Sequence, residues 1–361
     1  MIVFLDTTEL RQNPNLQGVK WEKVGRYLQQ GANVGFVTEL VLQETVNHVK
    51  EDLTRMRETL AKCVGNLRRL AADPTIVWPE IDVDILVSSY RQRLTARLSS
   101  LYLQTPPYPE IRIDDLVQRA LNRRRPFDGH GQKGFRDAVQ WEVILATVRE
   151  TVDDIVFVTS NKRDFGSQGL ANELASDLVA IGRPNSVTIC EGLDSFIREY
   201  VDPTLEKLDE IAVAVRAGEY KSFKTDEFVA RLWPEIRTMI EQEVADKGLD
   251  QLGFYASQYL LDPVLSDLND DPSIDGVEVY RMSDDVITAS LTLEIQGSIT
   301  CQEDSLFDPN DKPCYETIIG DATFTVSAGA VIREHSGEVL EEGVDSVEVQ
   351  LGINWPWSDG D

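Results

Sequence analysis

The feature that most constrains the fold is a series of short apolar runs without polar alternation. Ile2-Val3-Phe4-Leu5, Val34-Gly35-Phe36-Val37 and Ile155-Val156-Phe157-Val158 are three of them, and Val187-Thr188-Ile189 is a fourth candidate. A strand that is apolar on both sides must be covered on both faces, which is the situation of a parallel sheet between helical layers. The intervening stretches have helical character. Residues 19–30 read as a helix ending at Gly31. Residues 39–71 form a long periodic stretch with Val46, Val49, Leu53, Met56, Leu60 and Cys63 toward one face. A Pro-containing break at Trp78-Pro79 precedes a helix over 82–103, and Pro106, Pro107 and Pro109 mark a loop. Residues 113–124 read as a basic helix. Residues 135–151 form another, with Ala138, Trp141, Ile144, Leu145 and Val148 inward. Strands alternating with helices imply right-handed crossovers and an α/β, three-layer α/β/α (Rossmann-like) domain with a parallel sheet over residues 1–200.

The pattern then changes. Residues 203–216 and 225–247 read as acidic amphipathic helices. From Gly276 onward the period is 2: Ile287, Ala289, Leu291, Leu293 and Ile295 alternate with polar residues, and 322–332 and 345–353 behave alike. That predicts an α+β domain over residues 201–361, helices first and then an antiparallel sheet with one wet face. Charge follows the same division. Residues 1–200 hold 27 acids and 25 bases, a net of −2, whereas residues 201–361 hold 35 acids and 10 bases, a net of −25. The overall −27 argues against a general nucleic-acid coat or a binder of anionic membranes. Split in this way, it leaves a local basic site in the first half open.

No basic leader or membrane-length apolar stretch is present, so the expectation is a cytoplasmic protein with no membrane partner. Cys63, Cys190, Cys301 and Cys314 fit neither a disulfide framework nor a zinc pattern. Cys301 and Cys314 could face each other across a hairpin, but free thiols are expected.

Ligands of a parallel α/β sheet bind beyond the carboxyl ends of its strands. Asp6 follows the first strand directly, and Asn161 and Asp164 follow the third. Glu44, with Glu39 as its rival, lies early in the long helix after the second strand. Asp137 opens the helix in Gly134-Phe135-Arg136-Asp137-Ala138. Carboxylates brought together repel, so one takes a proton or a cation joins them. With oxygen donors alone, the cation expected is Mg²⁺ or Mn²⁺. Such a site suits phosphodiester hydrolysis, in which two ions ~3.5–4 Å apart activate a water and stabilise the leaving oxygen.

On these residues the chain resembles the PIN-domain nucleases. The matching pieces are Phe4-Leu5-Asp6-Thr7-Thr8, Glu44 early in a helix, Gly134–Ala138, and Val158-Thr159-Ser160-Asn161-Lys162-Arg163-Asp164-Phe165. Arg125-Pro126-Phe127 upstream resembles a bacterial PIN-like subgroup. The resemblance spans roughly residues 1–195. It implies Asp6, Glu44 and Asp137 as metal ligands and catalytic acids, with Asn161 or Asp164 as the fourth. Thr159 is implied as the helper hydroxyl at the strand end, in reach of substrate. Family members commonly have Asn where Thr8 stands.

Arg119, Arg123, Arg124, Arg125, Lys133 and Arg136 fall within 18 residues leading into Asp137. Such a run can be a solvated face, or a phosphate clamp beside the metal site. Gly129, Gly131 and Gly134 make the stretch pliable. Three function classes follow. The first is a Mg²⁺/Mn²⁺-dependent endonuclease acting on nucleic acid, RNA before DNA. The second is a non-catalytic PIN-like module that binds nucleic acid or protein. The third, an acid-rich phosphatase, is disfavoured because Asp-x-Asp and a Gly-rich phosphate loop are missing after the first strand. The acidic half is a candidate for self-association, for binding an inhibitory or regulatory protein partner, or for braking the basic segment.

Overall fold

The computed structural model describes residues 1–30, 33–71, 81–166, 169–251, 260–305 and 314–351. Gly31, Trp78-Pro79 and residues 352–353 lie outside these. The chain divides into two compact units, Met1–Thr204 and Leu205–Asp361.

In the first unit the apolar runs become strands β1 (Ile2–Leu5), β2 (Val34–Phe36), β4 (Ile155–Val158) and β5 (Val187–Cys190). A strand that the sequence pattern missed, β3 (Leu103–Gln104), occupies the edge. It lies where the helix over 82–103 was expected to end. All pairings are parallel, in the order β3-β2-β1-β4-β5. Every residue of β1 and β4 is buried, because helices cover both faces.

The helices are α1 (Thr7–Gln12), α2 (Val19–Gln29), α3 (Glu39–Ala71), α4 (Val83–Ser100), α5 (Ile113–Leu121), α6 (Phe135–Glu150), α7 (Lys162–Phe165), α8 (Asn172–Ala180) and α9 (Gly192–Phe196). Ala138, Trp141, Ile144, Leu145 and Val148 of α6 are buried as their spacing requires, and Phe165 joins them against β4. α5 is shorter than its basic pattern suggested. It closes at Leu121, and Arg123 turns the chain in a left-handed conformation (φ 52°), so Arg123–Arg125 lie in a loop. α3 departs from expectation in another way. Its buried residues are Val41, Leu42, Thr45 and Val46, whereas Met56 and Cys63 are exposed.

The second unit pairs two helices with an antiparallel sheet. Glu206–Lys207 form a strand, β6, where a helix over 203–216 was expected, and α10 (Asp209–Arg216) is correspondingly shorter. α11 (Thr225–Gln251) buries Phe228, Leu232, Ile236, Ile240 and Val244, a stripe at four-residue spacing. The remaining strands are β7 (Leu260–Leu268), β8 (Ser273–Ser283), β9 (Val286–Ser305), β10 (Cys314–Arg333) and β11 (Val339–Leu351). The sheet order is β11-β10-β9-β8-β6. The 20-residue β9 pairs its first half with β8 and its second with β7. Ile287, Ala289, Leu291, Leu293 and Ile295 face the core, as their alternation requires. Cys301 pairs with Ile318 and Cys314 with Ser305, so the two cysteines are not opposed across the hairpin.

Candidate active site

β1 and β4 are adjacent and in register, with Leu5 opposite Val158. The next residues along the two strands are therefore Asp6 and Thr159, and the Asp6 amide still donates to the Val158 carbonyl at 3.1 Å. Both side chains are buried, Asp6 at 7% and Thr159 at 1% exposure. The Thr159 hydroxyl donates to Asp6 Oδ2 at 2.7 Å. Thr159, expected as a helper hydroxyl at the strand end, thus holds the Asp6 carboxylate.

The acids around Asp6 arrive from separate elements. Glu44 stands in the second turn of α3. Its Oε2 accepts from the Thr7 hydroxyl at 2.7 Å, and its Oε1 pairs with Arg136 at 2.6 Å. Asp137 lies in the first turn of α6. That helix starts at Gly134, whose φ of 106° is open to glycine; a Cβ there would come within 2.4 Å of the Pro126 carbonyl oxygen. Asp164 lies on α7. Asn161 caps that helix by accepting from the Asp164 amide at 3.3 Å, and it donates to Asp137 Oδ1 at 3.3 Å. With its oxygen turned to its own helix, Asn161 orients Asp137. Asp164 is left as the fourth acid.

Electrostatics show that the four acids share one field. Burial, then the charges of Asp6, Asp164 and Glu44, push the Asp137 carboxyl up to about 7. Burial raises Asp6 to about 6, against the opposing pull of hydrogen bonds led by that from Thr159. A cluster that favours protons in this way equally favours a cation. Its donors are oxygens, the set that suits Mg²⁺ or Mn²⁺. Among the described residues, no three ligand-type side chains are gathered closely enough to close around one ion. Asp6, Asp137, Asp164 and Glu44 are the residues whose chemistry fits it.

The structure adds Glu9, which motif reading passed over, and gives partners to Thr7 and Thr8, which the motif contained without a role. Glu9 is 2% exposed and accepts from the Ser160 hydroxyl at 2.8 Å and the Leu193 amide at 2.7 Å. Thr8 lies within hydrogen-bond distance of both Asp6 and Glu9 and accepts from the Ser160 amide. Thr7 holds Glu44. Their signal in the sequence was only their position directly after Asp6, where a hydroxyl or acid reads as an ordinary first-turn residue.

The basic cluster separates into two sets. Arg119 is buried and pairs with Asp177 at 2.5 Å. Arg124 pairs with the same carboxylate at 2.9 Å, and the Trp141 indole donates to it as well. Arg119 also donates to the Arg125 carbonyl at 2.6 Å. Arg119 and Arg124 therefore share the Asp177 carboxylate, Arg119 buried and Arg124 exposed. Arg136 neutralises Glu44 and Lys133 is exposed. Arg123 and Arg125 line a cleft of about 280 Å³ with Phe127, Arg163, Asp164 and Glu173. Of the four acids, Asp164 lines that cleft.

Residues 3–165 match the model of the PIN domain family. The N-terminal unit carries a PIN domain. This family comprises metal-dependent nucleases, and the match runs from β1 to α7, taking in all four acids. Searches of curated proteins and of solved structures returned no match. Among the described residues, no helix is long and apolar enough to cross a membrane.

Proposed function

We propose that this PIN domain is a Mg²⁺- or Mn²⁺-dependent endonuclease acting on single-stranded RNA. The observation that carries the reading is the state of Asp137: buried beside three other acids, its carboxyl titrates near neutrality and needs a positive partner to be charged. Asp6, Asp137, Asp164 and Glu44 would hold the ion, which supplies charge to activate a water and to stabilise the leaving oxygen. The chain's own residues do the rest. Thr159 and Thr8 fix Asp6, Asn161 orients Asp137, and Thr7 and Arg136 fix Glu44. Arg123, Arg125 and Arg163 offer guanidinium forks to backbone phosphates in the cleft beside Asp164. Two exposed aromatics support an unpaired strand as substrate. Phe135 is 58% exposed at the start of α6, and Tyr108 is 46% exposed in the field of Glu39 and Glu44. Exposed rings are platforms for splayed bases.

The test is incubation of the full chain with Mn²⁺ and end-labelled single-stranded RNA, single-stranded DNA and duplexes. Cleavage of the single-stranded RNA is expected, with Asp6→Asn and Asp137→Asn each slower by about 100-fold or more. Equal rates in the variants would assign the activity to a contaminant. Binding without cleavage by the parent chain would assign the domain to nucleic-acid recognition alone.

A further inference from the structure

α3 carries more than Glu44. From Val46 its apolar residues recur at 49, 53, 56, 60, 63, 67 and 70, steps of three and four in strict alternation. A helix lying on a globular surface follows a 3.6-residue period and breaks that alternation, whereas a 3.5-residue period keeps one seam in contact along a second, supercoiled helix. The seam has Val46, Leu53, Leu60 and Leu67 at one core position, and Val49, Met56, Cys63 and Leu70 at the other.

α4 covers only the root of this seam. The Lys50 side chain meets Asp84, beside the first residue of α4, at 2.8 Å, and Arg91 reaches back to Glu39 at 3.0 Å. Beyond that point the seam is partly open among the described residues: Met56 is 61% exposed, Leu67 54%, Leu70 77%, and Cys63 is exposed too, while Leu53 and Leu60 are half-buried. A row of large apolar side chains along ~25 Å of helix is costly to leave in water.

We propose that residues 53–71 of α3 pair with the same residues of a second copy of this chain as a parallel two-stranded coiled coil. The 3.5-residue period asks for a helix running alongside, and an identical seam is self-complementary. The flanking charges choose the direction. Asp52 precedes a core position and Arg57 follows the next one. In a parallel pair each Asp52 meets Arg57 of the partner subunit, twice by symmetry. An antiparallel pair leaves both unmatched, since there like positions face each other. The other flanking residues along this stretch, Thr59, Val64, Asn66 and Ala71, are uncharged and repel nothing. Among the described residues, Asp52 meets an exposed Arg55 at 3.8 Å, a weak contact. Glu44 falls on the side of α3 opposite the seam, so pairing leaves both active sites open.

Cys63 makes the geometry testable, because a parallel pair sets the two Cys63 residues face to face across the axis, within disulfide range. The full chain is examined by sedimentation equilibrium over about 10–200 µM, where helix pairs of this length associate. The expected mass is about twice 40.6 kDa. Leu67→Asp and Met56→Asp each place a charge in the seam and are expected to raise the dissociation constant about 100-fold. Because both side chains are exposed within one chain, each variant keeps the parent melting temperature at concentrations where both are monomeric, and loses its rise with concentration. Mild copper-catalysed air oxidation is expected to yield a reducible dimer band that Cys63→Ser abolishes, while Cys63→Ser still sediments as a dimer. A monomer throughout that range means that another part of the same chain covers the seam, and overturns the proposal. So does a dimer that survives Leu67→Asp and Met56→Asp, or one that never crosslinks through Cys63.

Discussion

The hydroxyl of Thr159 donates to Oδ2 of Asp6 at 2.7 Å, joining residues 153 apart in sequence. The register of β1 against β4 makes this contact, and it leads the hydrogen bonds that hold the Asp6 carboxyl down against its burial. Thr159→Val keeps the shape and removes the donor. The Asp6 pKa is then expected to rise further above about 6, and Mn²⁺ affinity at pH 6.5 to fall, by roughly threefold for the first unit gained and nearer tenfold for each unit beyond it. Thr159→Ser restores the donor and the affinity. Titration calorimetry of the three proteins checks this, and identical affinities would show that Thr159 merely fills space.

The fold class was legible because its signal is local. Runs such as Ile155–Val158 carry their burial in their own composition, and the period of 2 in Ile287–Ile295 marks a sheet with one apolar face. What escaped depends on partners distant in sequence. β3 is two residues long and exists only because Gly35 and Phe36 lie beside it. The acids Asp6, Glu44, Asp137 and Asp164 stood out by their places after strands and at helix starts, but Thr159's grip on Asp6 required the strand register. Arg119 and Arg124 looked like part of a phosphate clamp because Asp177, whose carboxylate both of them meet, lies 58 and 53 residues away. In α3 the periodicity located a face, but nothing local says whether that face is covered.

The raised carboxyls fix the sign of the pH dependence. Asp137 titrates near 7 and Asp6 near 6 in the folded, metal-free protein, against about 3.9 for an unfolded Asp. Between these values the folded state binds more protons than the unfolded one, so stability falls as pH rises from about 4 to about 7. Asp137→Asn removes the repelling charge, so the metal-free variant is expected to melt higher than the parent at pH 8 and to match it near pH 4. Binding an ion must expel the same protons. Mn²⁺ binding should release about one proton or more at pH 6 and few at pH 8. Calorimetry in buffers of different ionisation enthalpy counts them. A pH-independent count would show that these carboxyls are not the ligands.

Neighbouring arginines should separate in function. Arg124 is committed to Asp177, while Arg123 and Arg125 line the cleft beside Asp164. For a single strand, each phosphate contact contributes about 0.7 to the slope of log affinity against log salt. Arg123→Ala and Arg125→Ala are each expected to flatten that slope by about this amount and to weaken binding similarly across sequences, since phosphates carry no base identity. Arg124→Ala should leave the slope unchanged and lower the melting temperature slightly, because Asp177 keeps Arg119. Fluorescence anisotropy of labelled RNA, on the catalytically silenced Asp137→Asn background, reads both quantities without cleavage. If Arg124→Ala flattens the slope as much as its neighbours do, the loop binds phosphate as one patch and the division between cleft and scaffold fails.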